Sequence, residues 1–204
     1  MIRYIFFDLG NVLLPFDHSI AIRNLATLAS ADEADIKRVV FDSGLQFDYE
    51  AGKVSSEEFC NSFCQELNVQ VEQSQIMTAA SDMFRLNVSI VPIVGQLRAT
   101  CHQIGILSNT CEAHWNFVTN RFTIIGQYFP DRILSYEEKS MKPDADIYKA
   151  AIELAGVQPE EIFFTDDLEA NVEGAKSVGI DAVQYTSSRE LAEQLRRRDV
   201  AITL

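Results

Sequence analysis

The chain has 204 residues, of which 47% are hydrophobic, and its 30 acidic and 17 basic residues give a formal net charge of −13 at pH 7. This length allows one domain with a sizeable core and a smaller inserted unit. The acidic charge argues against nucleic acid and anionic membrane as partners, because both need a cationic face. No run approaches the roughly 20 apolar residues of a membrane span, and no signal pattern opens the chain. We therefore predict a cytoplasmic protein.

The first element is an apolar run over residues 2–7 that predicts a buried strand and ends directly before Asp8. A Gly10-Asn11 turn signal follows it. In open α/β sheets, ligands bind in the crevice outside the carboxyl ends of the strands, which is where this carboxylate would lie. Taken alone, Asp8 equally fits a residue that only caps the backbone of the turn.

Residues from about 16 to 86 carry apolar side chains at helical spacing and show no strand pattern. The sequence Ser55-Ser56-Glu57-Glu58 predicts the start of one helix, and residues 46–53 indicate a polar turn between helices. Phe47, Tyr49 and Glu50 in that turn either face a substrate or pack within their own unit. We predict a helical unit of residues 16–86 inserted after the first strand, and an α/β core domain of residues 1–15 and 87–204.

The rest of the chain alternates short apolar strands with helical segments. Strands are predicted at residues 103–107, 132–134, 161–165 and 180–185, and helices at residues 90–100, 112–121, from 142 onward and 188–198. This alternation predicts a Rossmann-like α/β core, in which a parallel sheet has helices on both faces. His114, near the start of one of these helices, fits a surface or helix-capping residue better than a pocket residue.

Polar side chains follow three of the predicted strands. Right-handed crossovers place the carboxyl ends of parallel strands on one edge of the sheet, so Asp8, Ser108 and the pair Asp166 and Asp167 are expected to converge. Lys142 belongs to a loop on the same edge. Three carboxylates need a cation to offset their repulsion, and oxygen-only ligands suit Mg²⁺. Because a carboxylate can also attack phosphorus, the constellation predicts metal-assisted phosphoryl transfer.

Four motifs, in order, resemble those of the haloacid dehalogenase-like hydrolase superfamily. They are Asp8-Leu-Gly-Asn-Val-Leu, Leu107-Ser108-Asn109-Thr110, Lys142-Pro143-Asp144, and Phe163-Phe164-Thr165-Asp166-Asp167 with Asn171. The helical unit is placed like the cap of that superfamily. The opening Asp-Leu-Gly-Asn-Val is similar to that of a bacterial subgroup with phosphatases acting on α-glucose 1-phosphate. The resemblance implies a magnesium-dependent phosphatase that acts on a small phosphate ester, such as a hexose 1-phosphate. The sequence leaves open whether the protein is a monomer or homodimer.

By position, the resemblance implies a role for each motif residue. Asp8 would be the nucleophile and a metal ligand, and the Gly10 carbonyl would also face the metal. Ser108 and the Asn109 backbone would bind phosphate, and Lys142 would offset the charge on the nucleophile and the transferring group. The remaining metal ligands would come from the acidic pair of the fourth motif, and spacing leaves open which of the two coordinates Mg²⁺ directly. The metal ligands that the resemblance implies are therefore Asp8, Gly10, Asp166 and Asp167.

Gly10 departs from the pattern of the superfamily, whose phosphatases commonly carry a second aspartate there as general acid and base. Asp17 or His18 is a candidate replacement, although Asp17 fits the N-cap of the next helix better. An anomeric leaving group, which needs less protonation, is another explanation. Two other functions stay open: a haloacid dehalogenase, whose halide leaves without a proton, and a catalytically weakened protein that binds a phospho-ligand. The acidic pair argues against the first, and the retained Asp8 and Lys142 against the second.

Overall fold

The computed structural model describes residues 1–100 and 102–203. Its strands are β1 (Tyr4–Phe7), β2 (Gln103–Ser108), β3 (Asp131–Leu134), β4 (Ile162–Asp166) and β5 (Asp181–Gln184). They form one sheet in the order β3-β2-β1-β4-β5, and every neighbouring pair is parallel. The predicted α/β fold with a parallel Rossmann-like sheet is therefore confirmed.

Twelve α-helices accompany the strands in the described part of the chain. They are α1 (His18–Ala29), α2 (Glu33–Ile36), α3 (Leu45–Glu50), α4 (Ser56–Leu67), α5 (Gln73–Ser81), α6 (Val91–Ala99), α7 (Glu112–Arg121), α8 (Thr123–Tyr128), α9 (Ser135–Glu138), α10 (Ala145–Ala155), α11 (Glu169–Ser177) and α12 (Ser188–Arg196). Among these helices, none has the length and apolar character that crossing a bilayer would require.

The central strand β1 is buried on both faces and shows why helices cover both sides of the sheet. Side chains alternate along a strand, so Ile5 and Phe7 pack in one apolar cluster with α6 and α12. Tyr4 and Phe6 point the other way and pack with α10 and α11. Burial of β1 on both faces explains its continuous apolar run, which is typical of parallel strands.

The helices α1 to α5 lie between β1 and β2 in the chain and share a third apolar cluster with the start of α7. At the start of α4, Ser55 Oγ accepts from the Glu58 backbone N–H, and the Glu58 carboxylate accepts from the Ser55 N–H, which confirms the predicted helix start. We call residues 16–86 the helical insertion. Its bounds, and its separation from the core as a domain, stay predictions.

The predicted polar turn at residues 46–53 is wrong, because α3 occupies most of it. Gly44 and Gly52 adopt positive φ angles of 84° and 67° on either side of this short helix. Within the helix, the side chains of Gln46 and Tyr49 are buried. A Cβ atom at Gly52 would lie 2.3 Å from the Tyr136 carbonyl oxygen. Glycine therefore allows the end of α3 to pack directly against the segment that follows β3.

Candidate active site

Three carboxylates meet at the carboxyl edge of the sheet. Phe7 of β1 pairs with Thr165 of β4, so the next residues, Asp8 and Asp166, extend from adjacent strands at the same level. Asp167 follows directly, and one carboxylate oxygen from each of the three aspartates lies within 4.8 Å of the others. The parallel register alone thus brings together groups that are distant in sequence.

Lys142 joins two of these carboxylates. Its Nζ donates to Asp8 Oδ1 at 2.8 Å, to Asp166 Oδ2 at 2.5 Å and to the Leu107 carbonyl oxygen at 2.9 Å. The Asn109 side chain holds the Lys142 backbone, since its Nδ2 donates to the Lys142 carbonyl at 2.9 Å and its Oδ1 accepts from the Lys142 N–H at 2.8 Å. Asn109 therefore has a positioning contact that its motif did not predict.

Burial and charge together set the protonation of this cluster. Burial raises the pKa of Asp8 to about 7, with Lys142 opposing the rise and Asp166 and Asp167 adding to it. Burial lowers the pKa of Lys142, but Asp8 and Asp166 outweigh this effect and the net pKa is raised. With all three carboxylates ionised, the single ammonium leaves an excess of two negative charges, which a divalent cation would balance.

The hydrogen bonds of the acidic pair distinguish its two members. Both oxygens of Asp166 are engaged: Oδ1 accepts from Leu168 N and Asn171 Nδ2, and Oδ2 accepts from Asn171 Nδ2 and Lys142. Asp167 Oδ2 accepts from Asn11 Nδ2 at 3.0 Å, and its Oδ1 has no hydrogen-bond partner within the described ranges. These all-oxygen groups fit a hard cation such as Mg²⁺, and Asp167 has the more available oxygen.

A cavity of about 290 Å³ opens from this cluster towards the helical insertion. At the sheet it is lined by all the predicted site residues except Asp166, namely Asp8, Gly10, Ser108, Asn109, Lys142 and Asp167. Its lining also includes Phe16, His18, Glu50, Met83 and Phe84 of the helical insertion and His114 of α7. The cavity thus combines a polar, charged floor with a wall that is mainly aromatic.

One expectation about the wall is wrong and another is confirmed. His114 is 5% exposed and not a surface residue; its ring packs edge to face with Phe84, and burial lowers its pKa to about 4, with His18 adding to the effect. Asp17 accepts from the Ser19 N–H as the predicted N-cap of α1, and it is exposed and does not line the cavity. Of the two proposed replacement acids, only His18 reaches the cavity.

Position 10 has little room for a side chain. A Cβ atom on Gly10 would lie 2.8 Å from Phe16 Cε1. The Phe16 ring is itself held between His18, at a centroid distance of 5.0 Å, and Phe84, at 5.7 Å. Phe16 therefore crowds the space that an aspartate at position 10 would need.

We expect the variant Gly10→Ala to lower the free energy of unfolding by about 1–3 kcal/mol, because the added methyl group overpacks against Phe16. In a Phe16→Ala background the same change should cost about 0.5 kcal/mol or less. Urea unfolding of the four proteins in this double-mutant cycle measures the coupling. Equal costs in both backgrounds would show that Phe16 does not restrict position 10.

Comparison with known proteins places the chain among hydrolases. A family model for haloacid dehalogenase-like hydrolases matches residues 2–179. A D-ribitol-5-phosphate phosphatase from Bacteroides thetaiotaomicron is 24% identical over 201 residues, which are 96% of this chain and 97% of that protein. The acyl-CoA dehydrogenase family member 10 of Mus musculus is 24% identical over 203 residues, or 95% of this chain. The chain spans only 19% of that relative's length.

A solved structure shows the same fold with a ligand. The crystal structure of a haloacid dehalogenase family enzyme from Bacteroides thetaiotaomicron, in complex with magnesium and inorganic phosphate, is 28% identical to the chain. The superposition has a TM-score of 0.81 and covers 91% of this chain and 95% of the enzyme's chain.

Proposed function

The chain belongs to the haloacid dehalogenase-like hydrolase family, and on that basis we propose that it is a magnesium-dependent phosphatase. It would release phosphate from a small phosphorylated sugar or polyol through an aspartyl-phosphate on Asp8. The observation that carries this proposal is the ion pair of Lys142 with Asp8 at 2.8 Å, inside a cluster of three aspartates at the cavity floor.

Asp8 is placed to act as the nucleophile. Lys142 engages its Oδ1, and no hydrogen-bond partner in the described part of the chain occupies its Oδ2, which leaves that oxygen able to attack. The Lys142 ammonium would also neutralise charge that develops on the transferring phosphoryl group. Formation of an aspartyl-phosphate divides the hydrolysis into two easier steps.

The other predicted site residues have supporting roles in this proposal. Ser108 and the Asn109 backbone would donate hydrogen bonds to the phosphate oxygens. Asp8, Asp167 and the Gly10 carbonyl would hold Mg²⁺, while Asp166 acts mainly through its ion pair with Lys142. When bound, the cation would draw charge from the phosphoryl oxygens as a Lewis acid.

The substrate class rests on the size of the cavity and on a relative. A volume of about 290 Å³ suits a small ligand, and the similar phosphatase from Bacteroides thetaiotaomicron is named for a phosphorylated pentitol. A hexose 1-phosphate is the narrower proposal, since its anomeric hydroxyl leaves more easily than an ordinary alcohol. The helical insertion would act as the cap that covers the substrate, in a monomer or homodimer working in the cytoplasm.

Dehalogenation is the second candidate, because Gly10 removes the usual general acid and a halide needs none. The acidic cluster opposes it, since a reaction without a metal has no use for Asp166 and Asp167 beside the nucleophile. A protein that only binds phospho-ligands would likewise have no need of the buried contact between Lys142 and Asp8.

Phosphate release from p-nitrophenyl phosphate tests the proposal, because this ester has a good leaving group. We expect turnover with Mg²⁺, loss of at least about 90% of it on adding excess EDTA, and recovery when Mg²⁺ is restored. Dialysed protein with Ca²⁺ in place of Mg²⁺ is the matched control for a general effect of divalent ions on the fold. Full activity in EDTA, or no turnover with Mg²⁺, would contradict the proposal.

A further inference from the structure

We propose that Glu50, at the end of α3, is the general acid and base of this site and replaces the aspartate that position 10 lacks. It would protonate the leaving oxygen in the first half-reaction and take a proton from water in the second. This inference rests on the proposed phosphatase function and adds a catalytic residue outside the four motifs.

The direction of the reaction requires an acid on the side of the helical insertion. Asp8 attacks from the sheet edge, and a leaving group in line with that attack points away from the sheet towards the helical insertion. Glu50 belongs to the helical insertion and lines the same cavity as Asp8 and Lys142. The acid is therefore on the side where the leaving oxygen must acquire its proton.

The two histidines on the same wall are poor acids. Burial lowers the pKa of His114 to about 4 and also lowers the pKa of His18, which disfavours the cationic, proton-donating form of both rings. The His18 ring lies between Phe16 and Phe41, each at a centroid distance of 5.0 Å, an apolar setting that disfavours its cation.

The pKa of Glu50 suits both proton transfers. Protein surrounds its partly exposed side chain closely enough that burial raises its pKa to about 7, although a hydrogen bond from Gln46 opposes the rise. Both the acid and its conjugate base are thus present near neutrality. The ionisable groups that share its surroundings are those of the cavity, Asp8, His18, His114, Lys142 and Asp167, together with the Cys111 thiol.

Hydrogen bonds hold both the side chain and the backbone of Glu50 in place. Gln46 Nε2 donates to Glu50 Oε1 at 2.7 Å, and Glu50 Oε2 has no hydrogen-bond partner among the described residues. The Glu50 carbonyl oxygen lies 2.6 Å from Ser135 Oγ, and that hydroxyl oxygen also accepts from the Thr110 N–H at 2.9 Å. One hydroxyl thus connects α3 with the loop that follows Ser108 at the end of β2.

The proposed chemistry balances over two steps. In the first, Asp8 forms a bond to phosphorus, the bond from phosphorus to the leaving oxygen breaks, and that oxygen takes the proton of Glu50. In the second, water attacks phosphorus while the Glu50 carboxylate accepts its proton, and the bond to Asp8 breaks. The products are an alcohol and phosphate, and both carboxyl groups return to their starting states.

Two esters of nearly equal shape test the role of Glu50 in the variant Glu50→Gln. A glutamine carbonyl keeps the hydrogen bond from Gln46, so the change removes only the proton. Phenyl phosphate needs help from an acid more than p-nitrophenyl phosphate does, because phenol is the weaker acid. We expect kcat/KM to fall about 10²-fold or more for phenyl phosphate and less than about tenfold for p-nitrophenyl phosphate.

The second half-reaction gives an independent readout. Without the base, phosphoenzyme should accumulate, so Glu50→Gln should release a burst of p-nitrophenolate before a slow steady state. Asp48→Asn, which removes an exposed carboxylate from the same helix, is the matched control and should match the wild type with both esters. Equal losses for the two esters, or the absence of a burst, would overturn the role of Glu50. Wild-type turnover that Asp8→Asn abolishes would still support the phosphatase in that case.

Discussion

Replacing Asp8 with asparagine is expected to lower kcat/KM for p-nitrophenyl phosphate by about four orders of magnitude or more. The amide has nearly the shape of the carboxylate but cannot form the acyl phosphate, and removal of a nucleophile costs about that much or more in other enzymes. Stopped-time assays with Mg²⁺ measure the loss. Acid-quenched mass spectrometry should find one added phosphoryl group on the wild type and none on the variant.

Asp146→Asn is the matched control for this substitution. Asp146 also forms an ion pair with a lysine at 2.8 Å, but both side chains are exposed and lie away from the cavity. We expect wild-type kinetics from this variant. Substantial turnover by Asp8→Asn, with its fold intact by circular dichroism, would assign the nucleophile to another group.

Replacing Lys142 with methionine should lower the free energy of unfolding by about 3–5 kcal/mol in the absence of Mg²⁺, and abolish most activity. The substitution leaves the carboxylates of Asp8 and Asp166 buried without their counter-ion, and breaking a buried pair in this way is strongly destabilising. Urea unfolding monitored by fluorescence measures the change. Added Mg²⁺ should recover part of the loss, because a cation bound to the native state stabilises it.

Lys176→Met is the control for the loss of a lysine from an ion pair. Lys176 contacts Glu173 at 2.8 Å on the exposed face of α11, where such a pair contributes about 1 kcal/mol or less. If Lys142→Met is no less stable than Lys176→Met, then the carboxylate cluster is not held by the buried ammonium, and the charge argument for a divalent cation fails.

The convergence of the charged residues could be predicted from the sequence because it depends on topology. Once β1, β2 and β4 are parallel neighbours, Asp8, Ser108 and Asp166 must meet at one edge. Each of these residues directly follows or ends an apolar run, so the chain pattern contained the necessary information. The loop carrying Lys142 was located by its motif and not by its periodicity.

The wall of the cavity was not predictable in the same way. α3 has six residues, too few for a clear helical period, and its polar side chains favoured the prediction of a turn. The i, i+4 spacing of Gln46 and Glu50 was the available signal for a helical side-chain pair. The contact of Phe16 with position 10 and the burial of His114 depend on how the helical insertion packs on the core, and no local pattern encodes that packing.

The shared hydroxyl of Ser135 has a consequence for the thermodynamics of substrate binding. Since it ties the end of α3 to the loop after β2, and Gly52 packs against Tyr136 beside it, this part of the wall is ordered before any ligand arrives. Binding then loses less conformational entropy than it would if a mobile segment had to become fixed. More of the intrinsic binding energy is left to distinguish the transition state from the ground state.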